Sequence, residues 1–229
     1  MPSPVTVKAV IFDLDGTLIQ SKIDYEEMRR RVIEIISATG VSTENLSQSR
    51  RIWEIIQGSE KALEEIGLTS DVRDLTLRKI NAALNEVELK ALETVELTRN
   101  AKETLRSLRL GGFKIGIATR GCKAYALNSL EKTGLTELVD EMLARDDVEH
   151  PKPDPRHLLK VMEALGCPSD RVLYIGDTTT DLSTAQAAHV AFVGFLRNDE
   201  WGKRLEEAGC QVLIDDLNML VEIANNEIK

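Results

Sequence analysis

The sequence predicts an α/β protein, a doubly wound parallel sheet with an all-helical segment inserted near its start. Three observations carry that expectation. Apolar, β-branched runs recur at Val7–Leu14, Phe113–Thr119, Val172–Ile175, Val190–Phe195 and Gln211–Ile214, as strands covered on both faces require. Segments with helical periodicity separate most of them, and strand alternating with helix is the signature of a parallel sheet. From Gln20 to Leu97, by contrast, no strand pattern is visible and every segment reads as helix.

Each element has its own grounds. Leu138–Leu143 is a sixth, weaker strand candidate. Leu105, Leu108 and Leu110 mark a helix after Asn100, and Asn100 with Glu103 has the spacing of a capping box. Inside the insert, Tyr25, Met28, Val32, Ile35 and Ile36 share one helical face, and Ile80, Leu84, Val87, Ala91 and Val95 form a second, longer stripe. Gly40, Gly58 and Gly67 are expected at the turns between helices. The expected division is residues 1–19 with 98–229 as the α/β domain and 20–97 as a helical domain.

Composition bounds the function. The 229 residues carry 29 Lys and Arg against 38 Asp and Glu, a net charge of −9, which does not suit a nonspecific binder of nucleic-acid backbone. The apolar fraction of 42% supports a sizeable core. No apolar stretch approaches the roughly 20 residues of a membrane span, and the first residues lack a cationic segment followed by a long apolar one, so a cytoplasmic protein is expected. Cys122, Cys167 and Cys210 are odd in number and widely spaced, which gives neither a disulfide framework nor a metal motif. His150, His157 and His189 form no ligand pattern.

The chemistry gathers at predicted strand ends. The first strand runs into Asp13-Leu14-Asp15-Gly16-Thr17, and Val172–Ile175 runs into Gly176-Asp177 with Asp181 four residues later. Carboxyl ends of strands are where open α/β sheets bind ligands. If those two strands are neighbours, Asp13, Asp15, Asp177 and Asp181 converge on an oxygen-rich pocket suited to a hard cation such as Mg²⁺. Read alone, Asp177 and Asp181 also fit an ordinary strand-to-helix turn with an N-cap and a first-turn acid. Thr119 closes another strand, and Lys152 stands in His150-Pro151-Lys152-Pro153-Asp154-Pro155. A hydroxyl and an ammonium beside a metal site suit a transferring phosphoryl group, whose oxygens carry charge throughout the reaction.

In these residues the chain resembles the haloacid dehalogenase (HAD) superfamily of phosphohydrolases, in the phosphoglycolate phosphatase-like branch with a helical, C1-type cap after the first motif. The family's Asp-x-Asp-Gly-Thr falls on Asp13–Thr17, its Ser/Thr on Thr119, its Lys on Lys152 and its Gly-Asp-x-x-x-Asp on Gly176–Asp181. The resemblance spans Lys8 to about Phe195; in the cap it covers position and helical character only. It implies a Rossmann-like core and Mg²⁺-dependent phosphoryl transfer in which Asp13 is the nucleophile and Asp15 the general acid and base. It further implies that Asp13, the Asp15 carbonyl and Asp177 bind Mg²⁺ with Asp181 nearby, and that Lys152 and Thr119 hold the phosphoryl oxygens. The second acid, Asp15, favours phosphate esters, because dehalogenating relatives lack it and phosphonate-cleaving relatives have a small residue there. Arg120-Gly121 departs from the Asn that many relatives place after the Ser/Thr, and contact with phosphate or with the cap are both open for Arg120.

The implied activity is hydrolysis of a small phosphorylated metabolite such as phosphoglycolate. A sugar-phosphate mutase would use the same core and return the phosphoryl group to a sugar hydroxyl. A phospho-Asp signalling receiver shares the Asp, Thr and Lys but neither the insert nor the placement of Asp177 and Asp181. A silent binding module would need none of this charge. Arg29-Arg30-Arg31 and Arg50-Arg51 read as solvated helix faces, since residues 20–97 hold 11 basic against 15 acidic side chains. Trp53 and Trp201 read as packing residues, and Cys122 has no recognisable partner base.

Overall fold

In the computed structural model, which describes residues 6–47 and 52–226, the chain opens with β1 (Ala9–Phe12) and β2 (Ile19–Gln20). Four helices follow: α1 (Tyr25–Ser37), α2 (Glu44–Ser47), α3 (Ile52–Glu65) and α4 (Ser70–Ala91). Then come β3 (Glu96–Leu97), α5 (Ala101–Leu110), β4 (Lys114–Ala118), α6 (Lys123–Thr133), β5 (Glu141–Leu143) and α7 (Pro155–Leu165). The chain finishes with β6 (Val172–Gly176), α8 (Thr179–Ala187), β7 (Ala191–Phe195), α9 (Asp199–Glu207), β8 (Leu213–Ile214) and α10 (Met219–Asn225).

Six strands form one sheet in the order β5-β4-β1-β6-β7-β8, and every pairing in it is parallel. The expected doubly wound sheet is therefore present. β1 and β6 are buried along their whole length, which is why their sequences are continuous apolar runs instead of alternating ones. β5 was the weak candidate because it is an edge strand, only half-buried, and its sequence is correspondingly mixed. α7 starts cleanly: the Asp154 side chain caps it, Pro155 occupies the first turn, and Gly166 closes it at φ +65°. It lies directly on β4, since a Cβ at Gly116 would stand 2.8 Å from Val161 and 2.9 Å from Leu165.

The described chain separates into two compact units, one made of residues up to Ser21 and from Thr94, the other of Lys22–Glu93. In the helical unit, Met28, Val32 and Ile36 of α1 pack with Ile55 and Leu63 of α3 and Ile80 and Leu84 of α4. Tyr25, at the start of the first predicted stripe, is half exposed, and Val95 lies beyond the end of α4 although it is buried. Arg29 pairs with Glu26, Arg30 with Glu27 and Glu34, and Arg31 with Glu27 and Glu86, so this basic run is a salt-bridged surface. Arg50-Arg51 lies outside the described residues.

Three local expectations are corrected. Ile19–Gln20 and Glu96–Leu97 form an antiparallel ribbon where the sequence showed no strand, because two-residue strands have no periodicity to read. Gly58 sits inside α3 instead of at a turn: a Cβ there would come within 2.6 Å of Leu46, so the glycine allows α2 to approach. The Asn100 side chain makes no cap hydrogen bond to α5. It adopts φ +61°, and its side-chain amide donates to both carboxylate oxygens of Asp216 at 2.9 Å.

Candidate active site

The register of the central strands assembles the site. β1 lies between β4 and β6, with Phe12 opposite both Ile117 and Ile175. The chain crosses from β1 to β4 and β5 on one side and later fills β6, β7 and β8 on the other, so the sheet reverses its winding beside β1. Asp13, Thr119 and Asp177 leave the carboxyl ends of these three adjacent strands. The Asp13 N–H donates to the Ile175 carbonyl at 2.8 Å, extending the ladder one residue into the first motif.

Glycines in both acidic motifs make room for carboxylates. Gly16 has φ +86°, and a Cβ there would lie 2.3 Å from Oδ2 of Asp177. A Cβ on Gly176 would lie 2.4 Å from the Cβ of Asp181. Each motif glycine is thus a close-approach position, and the first motif packs directly on the second.

Asp13, Asp177 and Asp181 are buried and offer oxygens within 4.8 Å of one another. Lys152 is buried beside them, and its Nζ donates to Oδ1 of Asp13 at 2.7 Å, to Oδ1 of Asp181 at 2.7 Å and to the Tyr174 hydroxyl at 2.8 Å. With all three carboxylates ionised, one ammonium would leave two negative charges uncompensated in the buried group. Arg197 stands 3.7 Å from Oδ2 of Asp177, but its side chain is 37% exposed. Both carboxylate oxygens of Asp177 are buried without a hydrogen-bond donor, a costly state for an ionised group.

The electrostatics follow the donors. Burial, and then the charges of Asp13 and Asp181, hold Asp177 well above the usual carboxylate range. Burial raises Asp13 to about 6, with Lys152 pulling the other way. Asp181 is equally buried, yet Lys152, Thr178 and Tyr174 outweigh that and hold it below its usual value. Asp181 is also the third residue of α8 in a capping box with Thr178, whose N–H and hydroxyl both donate to its Oδ2. The ordinary first-turn role and the site role therefore belong to the same side chain, one oxygen each.

The carboxylate of Asp15 lies outside the group of three. Its Oδ1 accepts the Ser21 hydroxyl at 2.7 Å and the Tyr125 hydroxyl at 2.6 Å. Thr119 is buried, and its Oγ1 accepts the Gly121 N–H at 3.0 Å. The Arg120 carbonyl accepts Arg145 at 2.7 Å, while Nη1 of Arg120 is buried without a partner. Sequence reasoning missed Tyr174, Tyr125, Ser21 and Arg197. Tyr174 reads as one more apolar residue of a buried strand, and Tyr125 and Ser21 carry no motif.

The donor set fits a divalent cation: it is all oxygen, would carry a surplus of two negative charges when fully ionised, and contains an orphaned carboxylate. A family model described as haloacid dehalogenase-like hydrolase matches residues 10–195. The chain belongs to that family. Among HAD relatives, it is 30% identical over 215 residues to the pyrophosphatase PpaX of Halalkalibacterium halodurans, covering 87% of this chain and 90% of that one. It is 27% identical to a phosphoglycolate phosphatase of Nitrosospira multiformis, with 95% of each chain covered. Among solved structures, a proposed beta-phosphoglucomutase from Thermotoga maritima superposes with a TM-score of 0.61 at 25% identity, covering 95% of this chain and 98% of the other. No helix among the described residues of this HAD hydrolase is long and apolar enough to cross a membrane.

Proposed function

We propose that the chain is a Mg²⁺-dependent phosphatase that hydrolyses a small phosphorylated metabolite through a phosphorylated Asp13. The observation that carries this reading is the donor-less carboxylate of Asp177, packed against Gly16 and clustered with Asp13 and Asp181. Asp13, Asp177 and the main-chain carbonyl of Asp15 would hold the cation. Asp181, whose oxygens already accept Lys152, Tyr174 and Thr178, would reach it through water. Bound there, Mg²⁺ supplies positive charge that offsets repulsion between carboxylate and phosphate.

The residues divide the remaining work. An oxygen of Asp13 bonds to phosphorus as the ester P–O bond breaks, and Asp15 gives its proton to the leaving oxygen. In the second half, a water oxygen attacks phosphorus, Asp15 takes the proton, and the bond from Asp13 to phosphorus breaks. The Ser21 and Tyr125 hydroxyls, both donating to Oδ1, orient the Asp15 carboxylate for this proton transfer. Lys152 and Thr119 hold the phosphoryl oxygens. The helical insert acts as the cap that excludes water and selects the leaving group. A cytoplasmic setting goes with this substrate class.

The names of the relatives point to phosphoglycolate and pyrophosphate as first substrates to try. The test is a screen of purified protein against phosphorylated metabolites with and without Mg²⁺, with Asp13→Asn as control. The expected result is Mg²⁺-dependent release of inorganic phosphate that falls by about a thousandfold or more in the folded variant; wild-type turnover by Asp13→Asn refutes the nucleophile. The second reading, a sugar-phosphate mutase, is favoured by the Thermotoga structural neighbour. Isomerised sugar phosphate without released phosphate would establish it instead.

A further inference from the structure

His157 is fully buried in the first turn of α7, and its ring is engaged at both nitrogens. Nδ1 lies 3.2 Å from the main-chain nitrogen of Lys152, and Nε2 lies 3.0 Å from the carbonyl oxygen of Leu143. A main-chain N–H only donates and a carbonyl only accepts. Nδ1 is therefore the acceptor, and the single ring proton sits on Nε2. Leu143 ends β5 beside Ala118 of β4, and its carbonyl also accepts the N–H of Thr119 at 3.1 Å. One neutral imidazole thus ties the backbone of Lys152 to the carbonyl that holds the backbone of Thr119.

We propose that His157 is a positioning residue that sets the two phosphoryl-binding groups, Lys152 and Thr119, in register with each other. The role rests on the phosphatase reading above. Lys152 enters from the loop before α7 and Thr119 from the end of β4, so no strand pairing joins them directly. The imidazole supplies that joint. A plain core filler of the same size would leave the buried Lys152 N–H without its acceptor and release the Leu143 carbonyl from the ring. The carboxylates Asp13 and Asp177 come from β1 and β6, whose pairing does not involve His157. Its loss should therefore separate phosphate binding from cation binding.

Two variants test this. His157→Phe removes both bonds, and His157→Gln can restore the donor toward Leu143. The readouts are inhibition by inorganic phosphate, kcat/KM for an aryl phosphate, the Mg²⁺ activation constant, and the amide resonances of Lys152 and Thr119. In folded His157→Phe, phosphate inhibition and kcat/KM should each worsen about ten- to hundredfold. The Mg²⁺ constant should stay within about twofold, and both amide resonances should move. His157→Gln should recover the Thr119 resonance and part of the phosphate affinity. Wild-type phosphate affinity in the folded variant, or unmoved amides, overturns the proposal. If His157→Phe does not fold, His157→Gln decides: a Lys152 amide at its wild-type position with unchanged phosphate inhibition refutes the role. A wild-type protein that neither hydrolyses phosphate esters nor binds phosphate overturns the phosphatase reading and this role with it. The ring nitrogen shifts would still show Nε2 protonated and Nδ1 bare.

Discussion

Replacing Asp177 with Asn should stabilise the metal-free protein while removing its response to Mg²⁺. Both oxygens of Asp177 are buried without a donor, and its neighbours Asp13 and Asp181 share the single ammonium of Lys152. A buried polar group without a partner costs about 1–3 kcal/mol, and more when it is charged. Asparagine keeps the shape that Gly16 accommodates, removes the charge, and brings an amide N–H₂ that the flanking carboxylates can accept. Relief of about 1–3 kcal/mol corresponds to a rise in Tm of about 2–12 °C for a chain of this size. Wild type should instead gain on adding Mg²⁺, by about 4.1 kcal/mol at one thousand times Kd, more than the variant's advantage. Differential scanning calorimetry in EDTA and in Mg²⁺ reads both effects, and the order of the two proteins should invert between the buffers. A variant that melts below wild type in EDTA, or that keeps the Mg²⁺ shift, would refute the argument that this carboxylate is held for a cation.

Tyr125→Phe removes a hydroxyl donor from Oδ1 of Asp15. A hydrogen bond to a charged group is worth about 1.5–3 kcal/mol, so kcat should fall about tenfold or more with little change in Mg²⁺ activation; steady-state kinetics on an aryl phosphate check it. The His157 ring gives a pH prediction. Burial, then the Lys152 ammonium, push it from 6.5 to about 4, against the opposing pull of the Leu143 carbonyl, Asp147 and Asp181. Because the folded value lies below the unfolded one, the neutral ring's contribution is complete above pH 6.5 and is lost as pH falls toward 4, a span on the order of 3 kcal/mol. Melting temperature followed from pH 7 to pH 4 should show a shallower acid decline in His157→Gln than in wild type.

Most of the sheet was legible because its central strands are buried on both faces and so write themselves as unbroken apolar runs. The strand-end acids were legible for the complementary reason: a carboxylate after such a run is out of place unless something compensates it. What the sequence could not show depends on distance along the chain. Tyr174 meets Lys152 across 22 residues, and Tyr125 meets Asp15 across 110. Each is an ordinary core aromatic until the fold supplies its partner. Gly58 and Asn100 failed differently. Both carry a strong local preference, for a turn and for a cap, and in each case a tertiary contact, with Leu46 or with Asp216, sets the outcome.

The two sequence readings of Asp181, as a first-turn acid of a helix and as part of a metal site, are not alternatives, and their coexistence decides how the site divides its work. Oδ2 is engaged by the capping box with Thr178, and Oδ1 by Lys152 and Tyr174. A carboxylate so fully supplied with donors has little to offer a cation directly, and its pKa is held low for the same reason. Its charge instead keeps Lys152 protonated and aimed at Asp13. The carboxylate without donors is Asp177, one residue past the end of the same strand, where no helix-capping role occupies it. Helix chemistry thus engages one acid of the Gly-Asp-x-x-x-Asp motif with the lysine and leaves the other as the ligand in the cation site proposed above.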